Sequence, residues 1–152
     1  MSKQANTETQ KKMGEAINKG HLEAFHEIFA SDVVDHDPAP DQPQGPAGFI
    51  HFFTGFRSAF PDLAIAVEHT VADEDNISLA YTMTGTHKGN FMGIPATGKK
   101  IKVRGMQIAR FENARIVERW GSSDELGILK QIGAVKGVDA VTQIPAITGQ
   151  EL

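Results

Sequence analysis

The 152-residue chain contains no cysteine. That absence removes disulfides, thiol nucleophiles, zinc–thiolate sites and iron–sulfur ligation together. No apolar run approaches the ~18 residues of a membrane span, so no membrane partner is expected. Lys and Arg total 15 against 19 Asp and Glu, and the basic residues are scattered; the net charge is a mild −4. Such a distribution lacks the electrostatic footprint of a nucleic-acid-binding protein. Met1 to Lys12 is polar, without the apolar segment of a secretory signal. The expectation is a cytoplasmic protein. Aromatic residues other than Phe are scarce, with one Trp and one Tyr. No repeat and no linker divides the chain, and its length suits one domain with a real core.

Helical spacing comes first. Residues 1–19 read as a polar helix with an apolar face at Met13, Ala16 and Ile17, ended by Gly20. His21 to Phe29 reads as a second helix, with Leu22, Phe25, Ile28 and Phe29 in step. Val33-Val34 is a short strand or bridge. Between Asp35 and Pro46 the four prolines within nine residues preclude helix or central strand. Pro46 suits the first turn of a third helix. That helix runs to Phe60 with Phe49, Ile50, Phe53, Phe56 and Phe60 on one side. Four strands follow: 63–71, 77–87, 99–111 and 115–123. A last helix covers 125–132. Residues 134–152 form a tail beyond the domain, 1–133. Helices followed by consecutive strands argue for an α+β domain with an antiparallel sheet. Long strands curve, and a half-barrel closed by the amino-terminal helices encloses a cavity for a small apolar ligand.

The alternation of residues selects what faces that cavity. In the second strand Ile77, Leu79, Tyr81, Met83, Gly85 and His87 share a face. In the third, Ile101, Val103, Gly105, Gln107, Ala109 and Phe111 do. Gln107 is the lone polar member and needs a partner if buried. In the first strand, strict alternation puts Leu63, Ile65, Val67, His69 and Val71 together. Trp120 and Asp124, four apart, point the same way on the last strand. A carboxylate beside an aromatic wall gains proton affinity and can exchange protons near neutral pH. Asp124 equally suits the N-cap of the following helix. The proline loop is expected either to place His36 at the cavity mouth, facing Asp124, or to be a plain surface connector in which His36 hydrogen-bonds its neighbour Asp35 or Asp37. Phe53, Tyr81, Met83 and Trp120 are the expected substrate-binding side chains. The Asp35-His36-Asp37 run does not make a metal site, because adjacent side chains diverge. Phosphate loops and dinucleotide motifs are missing, so no cofactor is expected. Ala80, Thr82, Thr84, Met106 and Ile108 give the sheet a semi-apolar outer face, which predicts a homodimer.

Three stretches carry a family resemblance: VVDHDPAP with GPAGFIHFFTGFRSAFPDL, GTHKGNFMGIPATGKKI, and RFENARIVERWGSSDELGILKQIG. They resemble the SnoaL-like polyketide cyclases, or ester cyclases, of the nuclear-transport-factor-2-like superfamily. The likeness spans residues 7 to 133. It implies a cone-shaped α+β half-barrel, commonly dimeric, that closes a ring by intramolecular aldol chemistry without metal or organic cofactor. It implies an aspartate at the end of the last strand as general acid/base, matching Asp124. His36, Gln107 and His87 are the matching polar partners. The competing expectations are a non-catalytic small-molecule binding protein with the same pocket, and an epoxide hydrolase. The latter needs a carboxylate–arginine–carboxylate cluster, and Arg104 with Asp124 lacks a third member.

Overall fold

The computed structural model describes residues 2–135, so nearly all of the tail set apart at 134 lies outside it. Helix α1 spans Lys3–Lys19. The Ser2 hydroxyl accepts the Ala5 amide at 3.1 Å, and Gly20 closes the helix in the left-handed region at φ 74°. The Arg57 guanidinium, from helix α3 (Pro46–Ala59), donates to the Ile17 carbonyl at 2.8 Å and so satisfies the last turn of α1. Met13, Ala16 and Ile17 are buried, as their spacing predicts.

The second helix is shorter than its apolar spacing predicts. Leu22–Ala24 is a 3-10 turn and helix α2 covers only Phe25–Ile28. Phe29 is extended and opens strand β1, Phe29–Asp35. The strands β2 (Ala64–Ala72), β3 (Asn76–Thr86), β4 (Lys100–Glu112) and β5 (Arg115–Ser123) complete a five-stranded sheet in the order β1-β5-β4-β3-β2. The sheet is curved and unclosed, and the class is α+β, as expected. It is not wholly antiparallel, because β1 pairs parallel with β5. Helix α4, Glu125–Gln131, closes the described chain.

Two bulges set which side chains face the helices. In β2 the register slips between Val67 and His69, leaving Glu68 unpaired in the ladder. Ile65 and Val67 face inward, but beyond the bulge Thr70 and Ala72 oppose Leu79 and Ile77 instead. His69 and Val71 are therefore exposed, which overturns their expected inward placement. On β3 and β4 the alternation holds as predicted. The core is built from Phe25, Phe29, Phe60, Ile77, Ile116 and Ile128, all essentially inaccessible to solvent. Among the described residues no helix is long and apolar enough to cross a membrane.

Exposed carboxylates latch the turns and edges. Asp62 accepts the Thr86 hydroxyl and amide, and these bonds hold its carboxyl pKa below the usual carboxylate range. Asp73 is held low by the amides of Asp75 and Asn76. Glu118 is held low chiefly by the Arg110 guanidinium, with a smaller contribution from His36. Each folded-state carboxylate keeps its charge to lower pH than it does unfolded. Their stabilisation is full above the unfolded values, 3.8 for the aspartates and 4.5 for Glu118, and is lost as the pH falls through the folded ones. The melting temperature is expected to be flat with respect to these groups near neutrality and to fall on acidification below that window. Thermal melts of Asp62→Asn should show a shallower acid limb; an unchanged limb would remove Asp62 from the account.

Candidate functional site

The second bulge builds the site. Phe111 pairs with Ile116, but Arg110 pairs with Glu118, so Val117 is the extra residue of β5. Ile116 faces inward opposite Phe111; beyond the bulge the inward positions are Arg119, Gly121 and Ser123, opposite Ala109, Gln107 and Gly105. A one-residue slip exchanges the two faces of a strand. Trp120 is thereby turned to the outer face of the sheet, across from Ile108.

Arg119 is the centre of a polar network. The parallel pairing of β1 with β5 places Asp35 beside it. Nη1 of Arg119 donates to Asp35 Oδ1 at 3.1 Å, in a pair whose side chains are only 18% and 8% exposed. Nε donates to Gln107 Oε1 at 3.3 Å. Asp35 also accepts the Asp37 amide at 3.0 Å and the Gln42 side-chain amide at 3.0 Å. A buried ion pair is sound only when its remaining valences are met, and here the proline loop supplies them. Asp37 takes the Gly121 amide on Oδ2 at 2.9 Å, where β1 has left the sheet. Its Oδ1 accepts from no described residue. Arg119 Nη1 also reaches the Asp37 backbone carbonyl at 3.5 Å, so a carboxylate–arginine pair and a second carboxylate lie in one cluster, one strand away from Arg104, where such a grouping was sought.

This network lines a cavity of about 340 Å³. Pro38, Ala39, Pro40 and Gln42 rim it, and Tyr81 stands on its floor. The rest of the lining is largely apolar, with Met13 and Ile17 of α1, Phe49, Phe52 and Phe53 of α3, and Ile65, Leu79 and Met83 of the sheet; Met13 Sδ lies 4.0 Å from the Gln107 amide and Leu79 is the cross-strand partner of Gln107. Burial raises the Tyr81 phenol above its ordinary 10, with the nearby Arg119 charge opposing in part, so the hydroxyl stays protonated at neutral pH. Among the described residues no group of three His, Asp or Glu side chains could hold a metal ion. The donors in the lining include the Arg119, Gln107 and Tyr81 side chains, with Ser122 and Ser123 beside them.

Gln107, Tyr81, Met83 and Phe53 lie in this cavity, where the sequence places them. His36 does not. It lies on the outer face, stacked on Trp120 with ring centroids 4.6 Å apart, and its Nε2 is 3.4 Å from Glu118. Trp120 walls that outer cluster rather than the cavity. His87 is inaccessible to solvent and outside the cavity lining, against Phe60. Its Nδ1 accepts the Thr97 amide at 3.2 Å, which leaves the proton on Nε2, buried without a partner. Asp124 caps α4: Oδ1 accepts the Gly127 amide at 2.8 Å. It is exposed and outside the cavity lining, while its neighbours Ser123 and Glu125 are part of it. Asp124→Ala is expected to cost about 0.5–2 kcal/mol, the usual worth of such a cap, measurable by denaturant titration.

Asp35, Asp37 and Arg119 are the site residues that sequence reading missed. The carboxylates were visible in the Asp35-His36-Asp37 run, whose alternation puts two of the three on one face. Nothing local marks Val117 as a bulge.

The comparisons agree with this architecture. The SnoaL-like polyketide cyclase family model matches residues 7–132. The aklanonic acid methyl ester cyclase DauD of Streptomyces sp. (strain C5) is 27% identical over 131 residues, covering 81% of this chain and 78% of its own. IdmH from Streptomyces antibioticus superposes with a TM-score of 0.74 at 31% identity, covering 84% of this chain and 98% of its own. TsrD from Streptomyces laurentii shares the fold, with a TM-score of 0.81 at 22% identity, covering 89% and 99%. The chain belongs to the SnoaL-like polyketide cyclase family.

Proposed function

We propose that the protein is a cofactor-free enzyme that enolises and ring-closes a polyketide-like carbonyl compound, with an aspartate as general acid/base. The observation that carries this reading is the lining of the cavity: hydrogen-bond donors and Asp37 are set among largely apolar walls. Asp37 is the proposed proton carrier, because Oδ1 is unengaged while Asp35 is committed to Arg119 and the loop. It takes a proton from the carbon alpha to a carbonyl. The enolate carbon attacks a second carbonyl carbon of the same molecule, and the new alkoxide takes the proton back. One carbon–carbon bond forms, and the product is an isomer of the substrate. Donors fixed in a cavity shielded from water favour the charge that develops on oxygen, and confinement brings the two ends together.

Aklanonic acid methyl ester, the substrate named for DauD, is the first compound to test. In deuterium oxide, mass spectrometry should find deuterium at the acidic carbon and a ring-closed isomer. Bound ester recovered without label or ring closure would favour a small-molecule binding protein. The Asp35–Arg119–Asp37 grouping favours a second reading, opening of an epoxide by water activated at Asp37. Styrene oxide is its probe: a diol heavier by one water supports it, and epoxide lost no faster than in buffer rejects it.

We also propose a homodimer through the outer face of the sheet. Met106 and Ile108 there are 56% and 45% exposed, and Val34 and the His36–Trp120 stack extend the patch. Light scattering is expected to give twice 16.5 kDa at micromolar concentration; a monomer would refute it.

A further inference from the structure

Two glycines in the sheet floor are occupied by the ends of neighbouring side chains. A Cβ added at Gly121 would lie 2.3 Å from Arg119 Nη2. One added at Gly105 would lie 2.3 Å from the Tyr81 hydroxyl oxygen. Both donors therefore sit directly over the backbone, in notches that no other residue type leaves. The notches adjoin. Gly105 is two residues from Gln107, the partner of Gly121, so the glycines are diagonal neighbours on the inward face, roughly 7–8 Å apart. Arg119 uses Nη1 and Nε on Asp35 and Gln107, and among the described residues nothing accepts from Nη2 or from the Tyr81 hydroxyl. The result is two unspent donors, one cationic and one neutral, aimed from adjoining points into the same cavity.

We infer that Arg119 Nη2 and the Tyr81 hydroxyl form a two-point oxyanion site, seated by Gly121 and Gly105, that binds a planar anion carrying two neighbouring oxygens. It rests on the reading of the cavity as a site for carbonyl chemistry, and it assigns the groups that receive the charge. Donors seated on glycines roughly 7–8 Å apart can close on a pair of oxygens of one conjugated fragment, such as an enolate and the carbonyl conjugated with it. The charge inventory sets when the site binds best. Asp35 neutralises Arg119, Glu125 also brings a carboxylate to the lining, and Asp37 adds a negative charge. When Asp37 takes the substrate proton that charge disappears, and the enolate replaces it at the donors. Asp37→Asn reproduces the protonated base, so it should strengthen anion binding.

The test uses 2-acetyl-4-nitrophenol, a coloured phenolate with an adjacent ketone, and measures the ionisation of the bound probe by absorbance. In Asp37→Asn the bound phenol is expected to ionise about one pH unit below the free compound, a tenfold preference for the anion. Adding Arg119→Gln should abolish the shift, and adding Tyr81→Phe should halve it or more. Gly121→Ala, which keeps the charge but displaces the guanidinium, should act like Arg119→Gln and serves if that variant fails to fold. An equal midpoint in Asp37→Asn with and without these changes, or no probe binding at all, overturns the inference. Turnover is read separately. Loss of the anion preference with ring closure intact removes the oxyanion site alone, while a preserved preference without ring closure removes only the enzymatic reading.

Discussion

Asp37→Asn is expected to lower turnover of a ring-closing substrate by ~10²–10⁴-fold, the usual contribution of general acid–base catalysis. Asparagine can still accept the Gly121 amide, so the edge of β5 keeps its partner and the fold should be undisturbed. What is lost is the carboxylate that accepts a proton. Binding of the ground-state substrate should change little, so the loss belongs in kcat rather than KM. The decisive comparison is Asp124→Asn, measured side by side. Asp124 is the aspartate to which the family resemblance points, but it is engaged as a helix cap outside the cavity lining. If Asp124→Asn loses the rate and Asp37→Asn keeps it, the proton carrier is Asp124.

The second large effect concerns stability. Phe29→Ala is expected to cost about 3–5 kcal/mol, the range for deleting a buried aromatic side chain. Phe29 is inaccessible to solvent, stacked on Phe49 at 4.1 Å and edge-on to Phe25 at 5.4 Å. Those contacts hold the first residue of β1 between α2 and α3. The same strand ends at Asp35, the partner of Arg119. For a domain of this size the melting temperature should drop on the order of 10 °C. Calorimetry checks this, and a drop of only a degree or two would show that the cluster repacks around the missing ring.

Much of the frame was legible because it rests on local pattern. The alternation of β3 and β4, the aromatic face of α3 and the left-handed stop at Gly20 are consequences of residues near one another in sequence. Gln107 was found in the same way, as a polar residue on an apolar face. What failed was non-local. β1 begins in a helical-looking run and contains Ser31-Asp32, which reads as a break; it is a strand because β5 lies beside it. The bulges at Glu68 and Val117 occur within runs that favour strands, and the neighbouring ladder, not the residue type, reveals them. One undetected bulge exchanged Arg119 for Trp120 in the cavity and carried Asp124 into the expected site with it, while His36 was placed there by the position of the proline loop. The family resemblance supplied the fold correctly, yet it could not report which of several carboxylates this chain turns inward.

The parallel edge also orders events during synthesis of the chain. Asp35 leaves the ribosome 84 residues before the arginine that neutralises it. Until β5 emerges, the proline loop has neither the Gly121 amide nor the Arg119 guanidinium to hold it. The apolar walls can begin to collapse from the helices and the β2–β3 hairpin, but the Asp35–Arg119 network waits for the last strand. Closing so long a loop is entropically costly and tends to be slow. A nascent chain arrested within β4 would therefore carry a greasy pocket without its polar network, able to hold apolar molecules before it has the groups to act on them.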